Sequence, residues 1–510
     1  MSRPKNAIVV LLDSLNRHML GAYGGQEFDT PNLDRFAERS LRFDRHFVGS
    51  LPCMPARHDI LCGALDFLWK PWGSVELWEE AITYHARIQG VTTMLVSDHP
   101  HLFEAGGENY HTDFDGWDYV RGHECDPWKT VSDPSAIGAP EIPEARPAPI
   151  ERPYDVSRTW FREEADFPGP KTMTSACTWL RENAGRHERF LLFVDEFDPH
   201  EPFDTPEPYA SRYDDSWEGP KLIWPPYAVG AIADGRMTER EGHQVRACYG
   251  GGLTMIDAWL GKLLDTAFEL GLGEDTMIIV CTDHGHFLGE KTVDDRDIWG
   301  KPGVPHYETI GHTPLLVYWP GKEAGSVDAL TTNVDLHATL ADLFGVDVRH
   351  RTHGRSLIPL IEGTRDHIRE WALAGVWGRQ VHVIDGQRKY ARAHVGDNTP
   401  LSMWSNRWST MPLYAYPRYR IPKPDKRARL DFMPGSEVPV IRQPFEPGDR
   451  VPYWALDPPT GHYLFDLEQD PGERRNLSGT AGEKDAEDLL RAALEEVEAP
   501  ADQFERLGLS

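Results

Sequence analysis

Long apolar runs are missing from this chain. The best of them, Ala7 to Leu12, Phe190 to Val194 and Met277 to Cys281, each stop within about six residues, well short of the ~18–20 that cross a bilayer. Arg3 and Lys5 imitate the basic start of a secretory leader, but Asp13 interrupts the run behind them before it reaches the ~7–15 apolar residues of such a leader. The expectation is a soluble, cytoplasmic protein. Basic residues are scarce, 53 against 81 acidic ones for a net charge of −28. That field repels polyphosphates and anionic lipids, so neither nucleic acid nor membrane is an expected partner. An anionic substrate would need a local cluster of histidines, lysines, arginines or a metal. Cysteine pairs at redox or zinc spacing are absent too. Cys53, Cys62, Cys125, Cys177, Cys248 and Cys281 form no C-x-x-C, and a reducing compartment argues against a disulfide framework. No internal repeat is visible, and 45 Gly with 41 Pro in 510 residues stay below the ~25–30% of low-complexity chains.

What is present suggests a large α/β protein. At ~150 residues per domain the length allows three domains, or one large domain with a smaller companion. Four β-branched apolar runs, Ala7 to Leu12, Thr92 to Val96, Phe190 to Val194 and Met277 to Thr282, read as strands buried on both faces of a parallel sheet. Each leads directly into polar residues of catalytic type: Asp13; Asp98, His99 and His101; Asp195, Asp198 and His200; Asp283, His284 and His286. Sites in such sheets form beyond the carboxyl ends of the strands, so four distant segments can reach one crevice. Helices are expected from Thr30-Pro31 to Arg39, from Val245 to Leu270, and from Asp335 to Phe344 before Gly345. Asp126 to Pro170, rich in Pro and acid, reads as a long excursion over the sheet. Beyond about Gly363 short strand-like pieces take over, including Trp371 to Trp377, Val381 to Ile384 and Tyr463 to Leu467. The expected organisation is a catalytic α/β domain over 1–364, its mainly parallel sheet sandwiched by helices, and a smaller α+β domain with an antiparallel sheet over 365–510.

One short string draws attention to itself. Cys53-Met54-Pro55-Ala56-Arg57 precedes an expected helix from Ala56 to Cys62, and chance supplies a C-x-P-x-R roughly 0.04 times in a chain of this composition. With it come IVVLLDSLNRHMLGAYG and TPNLDRFAERS near the start, HEPF at His200, TDHGHFLGE from Thr282 and GKPGVPHYE from Gly300. NVDLHATLADLFG, HGRSLIPLIEG and the late YLFDLEQDPGERRNL follow in order. In this ordered set the chain resembles the type I sulfatase family of the alkaline phosphatase superfamily, and the resemblance spans nearly its whole length.

The resemblance implies that a maturation enzyme oxidises Cys53 to formylglycine, whose hydrate is the nucleophile. It also implies one divalent metal held by Asp13, Asp283, His284 and the modified residue 53. Ser14 stands where the common pattern has a second Asp, and His284 where it has an Asn. Calcium is the expected ion, and manganese, which accepts imidazole, is the alternative. His99 and His101 match a Lys-x-His pair that holds substrate oxygens and the diol. His200 matches a histidine that contacts substrate and protonates the leaving oxygen, and Lys301 a lysine that neutralises the transferred group. His286 and His306 have no expected role, while Trp69, Trp72, Trp78 and Trp128 read as lining or supporting a substrate pocket.

The residue types suit the chemistry on physical grounds. A sulfate ester resists attack because its oxygens repel nucleophiles and its alkoxide leaves poorly, so a site must neutralise the oxygens and protonate the leaving group. A gem-diol at residue 53 offers one hydroxyl to attack sulfur and a second whose deprotonation reforms the aldehyde and expels sulfate. Arg57, one helical turn on, can contact the diol or its sulfate, and a helix start at residue 53 favours anions. The expected activity is hydrolysis of a small-molecule sulfate ester. Hydrolysis of phosphonate monoesters or phosphodiesters by the same nucleophile is the alternative, and an inactive relative the third reading. A homo-oligomer is compatible with the sequence.

Overall fold

The computed structural model describes residues 3–133, 151–411 and 423–510. Its centre is an eight-stranded sheet. The strands, in chain order, are β1 (Asn6–Leu12), β2 (Leu41–Phe43), β3 (Thr92–Ser97), β4 (Gly116–Tyr119), β5 (Phe190–Glu196), β6 (Thr276–Cys281), β7 (Leu315–Tyr318) and β8 (Gly325–Val327). Across the sheet they run β8-β2-β7-β6-β1-β5-β3-β4, and β7 alone is antiparallel to both its neighbours. β1 lies in the middle, parallel to β5 and β6. Its alternation explains why the run is apolar throughout: Ala7, Val9 and Leu11 enter one core, and Ile8, Val10 and Leu12 the other.

Helices cover both faces. On one side α1 (Pro31–Ala37) and α3 (Pro168–Asn183) pack against the long α4 (Glu239–Glu269). On the other, α2 (Cys53–Cys62) packs against α5 (Val334–Phe344), which Gly345 closes in the left-handed conformation. Two helix starts differ from the sequence expectation. α4 begins at Glu239 rather than Val245 because Thr238 and Glu241 form a reciprocal capping box, a polar signal that apolar periodicity overlooks. α2 begins at Cys53 rather than Ala56; Pro55 sits in its first turn, where no N–H is required. The excursion over 126–170 lies partly outside the described residues. Its described end holds a helix, Glu151–Arg158, and the start of α3, whose Pro168 and Pro170 also occupy a first turn.

From residue 372 onward the chain builds two antiparallel sheets, one of four strands and one of three. The helix α6 (Gly482–Glu496) covers the first. Trp69 and Trp78, expected near substrate, are buried instead in the core under these sheets with Leu373, Tyr390 and Leu490. Among the described residues no helix is long and apolar enough to cross a membrane, and all six cysteines are unpaired.

Candidate active site

Four neighbouring strand ends supply the floor of the site. Asp13 follows β1, Asp195 lies within β5 opposite Leu11, Asp283 and His284 follow β6, and His99 follows β3. Cys53 is the first residue of α2, whose first i to i−4 bond runs from the Ala56 N–H to the Pro52 carbonyl. Donor atoms of Asp13, Cys53, Asp283 and His284 all lie within 4.8 Å of one another, and all four residues are buried.

Arg57, 1% exposed, ties the floor together. Its Nε and Nη2 donate to both oxygens of Asp195 at 2.8 and 2.7 Å. Its Nη1 donates to Asp283 Oδ2 at 2.8 Å and to the Cys53 carbonyl at 3.2 Å, and Nη2 lies 3.0 Å from Asp13 Oδ2. Burial opposes its charge, but Asp195, Asp13 and Asp283 hold it firmly protonated. Ser14, at φ 59°, turns the chain so that its N–H donates to Asp283 Oδ1 at 3.1 Å and its hydroxyl to Asp13 Oδ1 at 2.8 Å. Where a third carboxylate was conceivable, this residue clamps the other two. Gly285 is needed next to His284, because a Cβ there would collide with the Thr309 carbonyl.

Two histidines present lone pairs to this space. His284 Nδ1 faces the Gly285 carbonyl at 2.9 Å and so carries the proton. Its Nε2 therefore presents a lone pair 3.3 Å from Cys53 Sγ and 3.5 Å from Asp283 Oδ2. Burial lowers its pKa to about 4, leaving the neutral ring that binds metals. His200 Nδ1 faces the Glu201 carbonyl at 2.7 Å, and its Nε2 receives a hydrogen bond from Lys301 Nζ at 2.9 Å. Burial, with the charge of Lys301, brings His200 to about 3. The proton between the two belongs to Lys301, which lies 3.7 Å from Cys53 Sγ and is delivered by the hairpin Phe287–Val293/Arg296–Gly300.

His99 is fully buried; neither ring nitrogen has a hydrogen-bond partner, and Nε2 is 3.5 Å from Asp13 Oδ2. His101 lies 5.3 Å from it, ring to ring, but its nitrogens are occupied: Nδ1 pairs with Glu104 and Nε2 with Glu124 at 3.1 Å. Burial opposes protonation, yet the two carboxylates raise His101 to about 10. Trp72 packs edge-on against it, whereas Trp128 stacks on Phe161. His286 is buried 3.9 Å from Glu201, and His306 stacks on His382.

Sequence reasoning assigns no role to Asp195, Glu104, Glu124 or Glu201. Asp195 carries a signal, an acid at the end of an apolar run, and Glu201 lies in the HEPF string; Glu104 and Glu124 lie in loops with no recurrent pattern.

Three buried carboxylates, Asp13, Asp195 and Asp283, face two buried cations, Arg57 and Lys301. Burial, then the charge of Asp283, pushes the Asp13 carboxyl well up, while Asp283, despite burial, is held down by the charges of Arg57 and Lys301. Donors of this kind, two carboxylates and a neutral imidazole around one point, fit a divalent cation. The floor thus asks for a cation while Lys301, beside Cys53 Sγ, supplies a positive charge for an anionic ester, a pairing of demands that a hydrolase of the alkaline phosphatase superfamily satisfies on this sheet. Comparison with known proteins narrows the class. Residues 5–346 match the family model for sulfatases, and the chain belongs to the sulfatase family. The choline-sulfatase of Rhizobium meliloti (strain 1021) is 27% identical over 426 residues, 76% of this chain and 77% of that one. Two solved structures share the fold. The phosphonate monoester hydrolase of Agrobacterium radiobacter aligns with a TM-score of 0.64 at 18% identity over 98% of this chain and 96% of that one. BT4656, in complex with its substrate D-glucosamine-2-N,6-O-disulfate, aligns at 0.66 and 14% identity over 98% and 99%.

Proposed function

We propose that this chain hydrolyses a sulfate monoester through a formylglycine made from Cys53, with one divalent metal held by Asp13, Asp283, His284 and residue 53. The observation that carries the reading is the convergence of those four donor groups within 4.8 Å, with Lys301 Nζ 3.7 Å from Cys53 Sγ. The ion, calcium or manganese, would supply a positive centre for the nucleophile and one ester oxygen, and a hydrated formylglycine would supply the attacking hydroxyl. The chain's own groups divide the remaining work. Arg57 fixes the positions of Asp13, Asp195 and Asp283, His99 offers the one N–H of its neutral ring to an ester oxygen, and Lys301 meets the charge that grows on the oxygens. The proton for the leaving oxygen comes from the Lys301–His200 pair. His101, with both nitrogens engaged, positions His99 and Phe197 rather than touching the ester.

The reading takes residues 1–364 as the catalytic domain and 365–510 as a smaller one, matured by a formylglycine-generating enzyme. Six unpaired cysteines suit action in the cytoplasm.

A sulfate or phosphonate monoester is a monoanion, whereas a phosphate monoester approaches a dianion at neutral pH. A single ion with few carboxylates favours the monoanions. Turnover of 4-nitrophenyl sulfate should therefore exceed that of 4-nitrophenyl phosphate, and metal analysis should find one ion per chain that Asp13→Asn loses along with activity. Phosphonate turnover several orders of magnitude above sulfate would transfer the assignment to phosphonate ester hydrolysis. Full activity after exhaustive chelation would remove the metal from it.

A further inference from the structure

α2 carries two stripes of polar side chains. Cys53 and Arg57, one turn apart, belong to the catalytic floor. His58 and Cys62 repeat that spacing about 100° further round the helix, and the chemistry above does not use them. Both are buried, at 2% and 0% exposure. They meet buried Glu79, which comes from the connection between α2 and the helix Ile82–Ile88. One donor atom each from His58, Cys62 and Glu79 lies within 4.8 Å of the others.

The polar atoms of this cluster are incompletely bonded. Neither ring nitrogen of His58 makes a hydrogen bond. Its Nε2 lies 2.8 Å from Glu79 Oε2 and 3.5 Å from Asp66 Oδ2, without the alignment for one. Glu79 Oε2 accepts from the Glu76 N–H at 2.8 Å and from Lys70 Nζ at 3.2 Å, while Oε1 has no partner. Asp66 Oδ1 accepts from Arg351 Nη2 at 3.1 Å, while Oδ2 has none. Lys70 is committed elsewhere as well, to the Ser74 carbonyl at 3.0 Å. Buried lone pairs that no donor meets are costly, and a cation placed among them removes that cost. The donor types select the cation: sulfur and imidazole are too soft for calcium or magnesium, whereas sulfur, nitrogen and carboxylate together suit zinc.

We propose that His58, Cys62 and Glu79 hold a zinc ion, with Asp66 as the fourth ligand, at a structural site behind the helix that begins with the nucleophile. The charges balance. Cys62 binds as the thiolate and Asp66 as the carboxylate, so Zn2+ displaces to solvent the thiol proton and the proton that an unpaired buried carboxyl carries. One dication replaces two protons, and the net charge beside Lys70 and Arg351 is unchanged. The ion would tie the last turn of α2 to the connection that carries Trp72, the ring against which His101 packs. The proposal takes nothing from the sulfatase reading, since none of its ligands touches the ester.

The test uses Cys53→Ser protein, so that residue 53 offers no thiol and the outcome depends on neither maturation nor turnover. Produced in medium in which cobalt replaces zinc, this protein should show the near-ultraviolet absorption of a thiolate bound to cobalt. Produced with zinc and dialysed against EDTA, it should keep one zinc per chain more than the same protein carrying Cys62→Ser. Cys62→Ser and His58→Gln should each abolish the cobalt–thiolate absorption, and Cys248→Ser, a buried cysteine outside the cluster, should leave it intact. Absence of that absorption from Cys53→Ser protein would overturn the proposal, as would its persistence in Cys62→Ser or His58→Gln. The first of these results is read with the whole cluster intact, so it stands even if a cluster variant fails to fold.

Discussion

The floor of the site and its wall are built on opposite principles. On the floor the buried charges are held by one another, Arg57 alone engaging Asp13, Asp195 and Asp283, and neutral His99 is the member whose ring nitrogens lack hydrogen bonds. The wall around Lys301 and Arg379 is apolar with a few incompletely bonded groups. Buried charges held by one another form a rigid frame whose geometry does not wait for substrate. Buried polar groups without partners are costly in the free protein and gain only when a ligand arrives. On the proposed reading the paired floor sets which bond is broken, and the apolar wall beside Lys301, to which Trp454 belongs, bears on which ester is accepted. Floor substitutions should lower kcat for every ester, and wall substitutions should raise KM for particular ones.

The largest effect should come from Arg57→Leu, which leaves three carboxylates buried without their common partner. Breaking a buried pair costs about 3–5 kcal/mol, and here three contacts go at once. Urea unfolding should show a loss at least that large, with no turnover. Stability within about 1 kcal/mol of wild type would contradict the paired floor.

Lys301→Met comes next. It removes the donor that meets charge developing on the ester, an effect of about 10²–10³ in kcat, while His200 loses its hydrogen bond and folding is kept. A change confined to KM would reduce Lys301 to a substrate-binding group with no part in the bond-breaking step.

Trp454→Ala tests the wall itself. It should raise KM by roughly tenfold, the range given by one to a few buried methylene equivalents, and leave kcat little altered. A fall in kcat for all esters alike would erase the distinction between the two regions.

The smallest effect is a pH dependence beneath the floor. His101 has its pKa raised from 6.5 to about 10 by Glu104 and Glu124 in spite of burial. A folded-state pKa above the unfolded one contributes stability that is complete below about 6.5 and fades as pH rises towards 10. The melting temperature of wild type should fall over that window by more than that of His101→Asn, and parallel curves would show that the ring is neutral.

Much of the frame was legible in the sequence because its signals are local. β-branched runs ending in acids placed Asp13, Asp283 and His284 at neighbouring strand ends, and C-x-P-x-R placed Cys53 and Arg57 one turn apart. What escaped depends on contacts between distant segments. Asp195 follows its apolar run as plainly as Asp13 does, but only the fold shows that it takes both Nε and Nη2 of Arg57. Glu124 reaches His101 from a loop more than 20 residues away, and that turns His101 from an expected holder of substrate oxygens into a charged support. H-x-H spacing cannot reveal which nitrogens are already taken. The tryptophans show the same limit: aromatic residues near a catalytic motif serve equally as core, as Trp69 and Trp78 do beneath the later sheets. Arg379 and Trp454 join the wall from beyond residue 365, where no motif marks them.

The most direct measurement is the mass of the peptide containing residue 53, taken from enzyme whose activity has been measured. Conversion of the thiol to an aldehyde lowers that mass by roughly 18 Da, and the fraction converted should rise and fall with kcat across preparations from hosts with and without the maturation enzyme. Fully active protein carrying only the unmodified thiol at Cys53 would contradict the nucleophile on which the whole assignment stands.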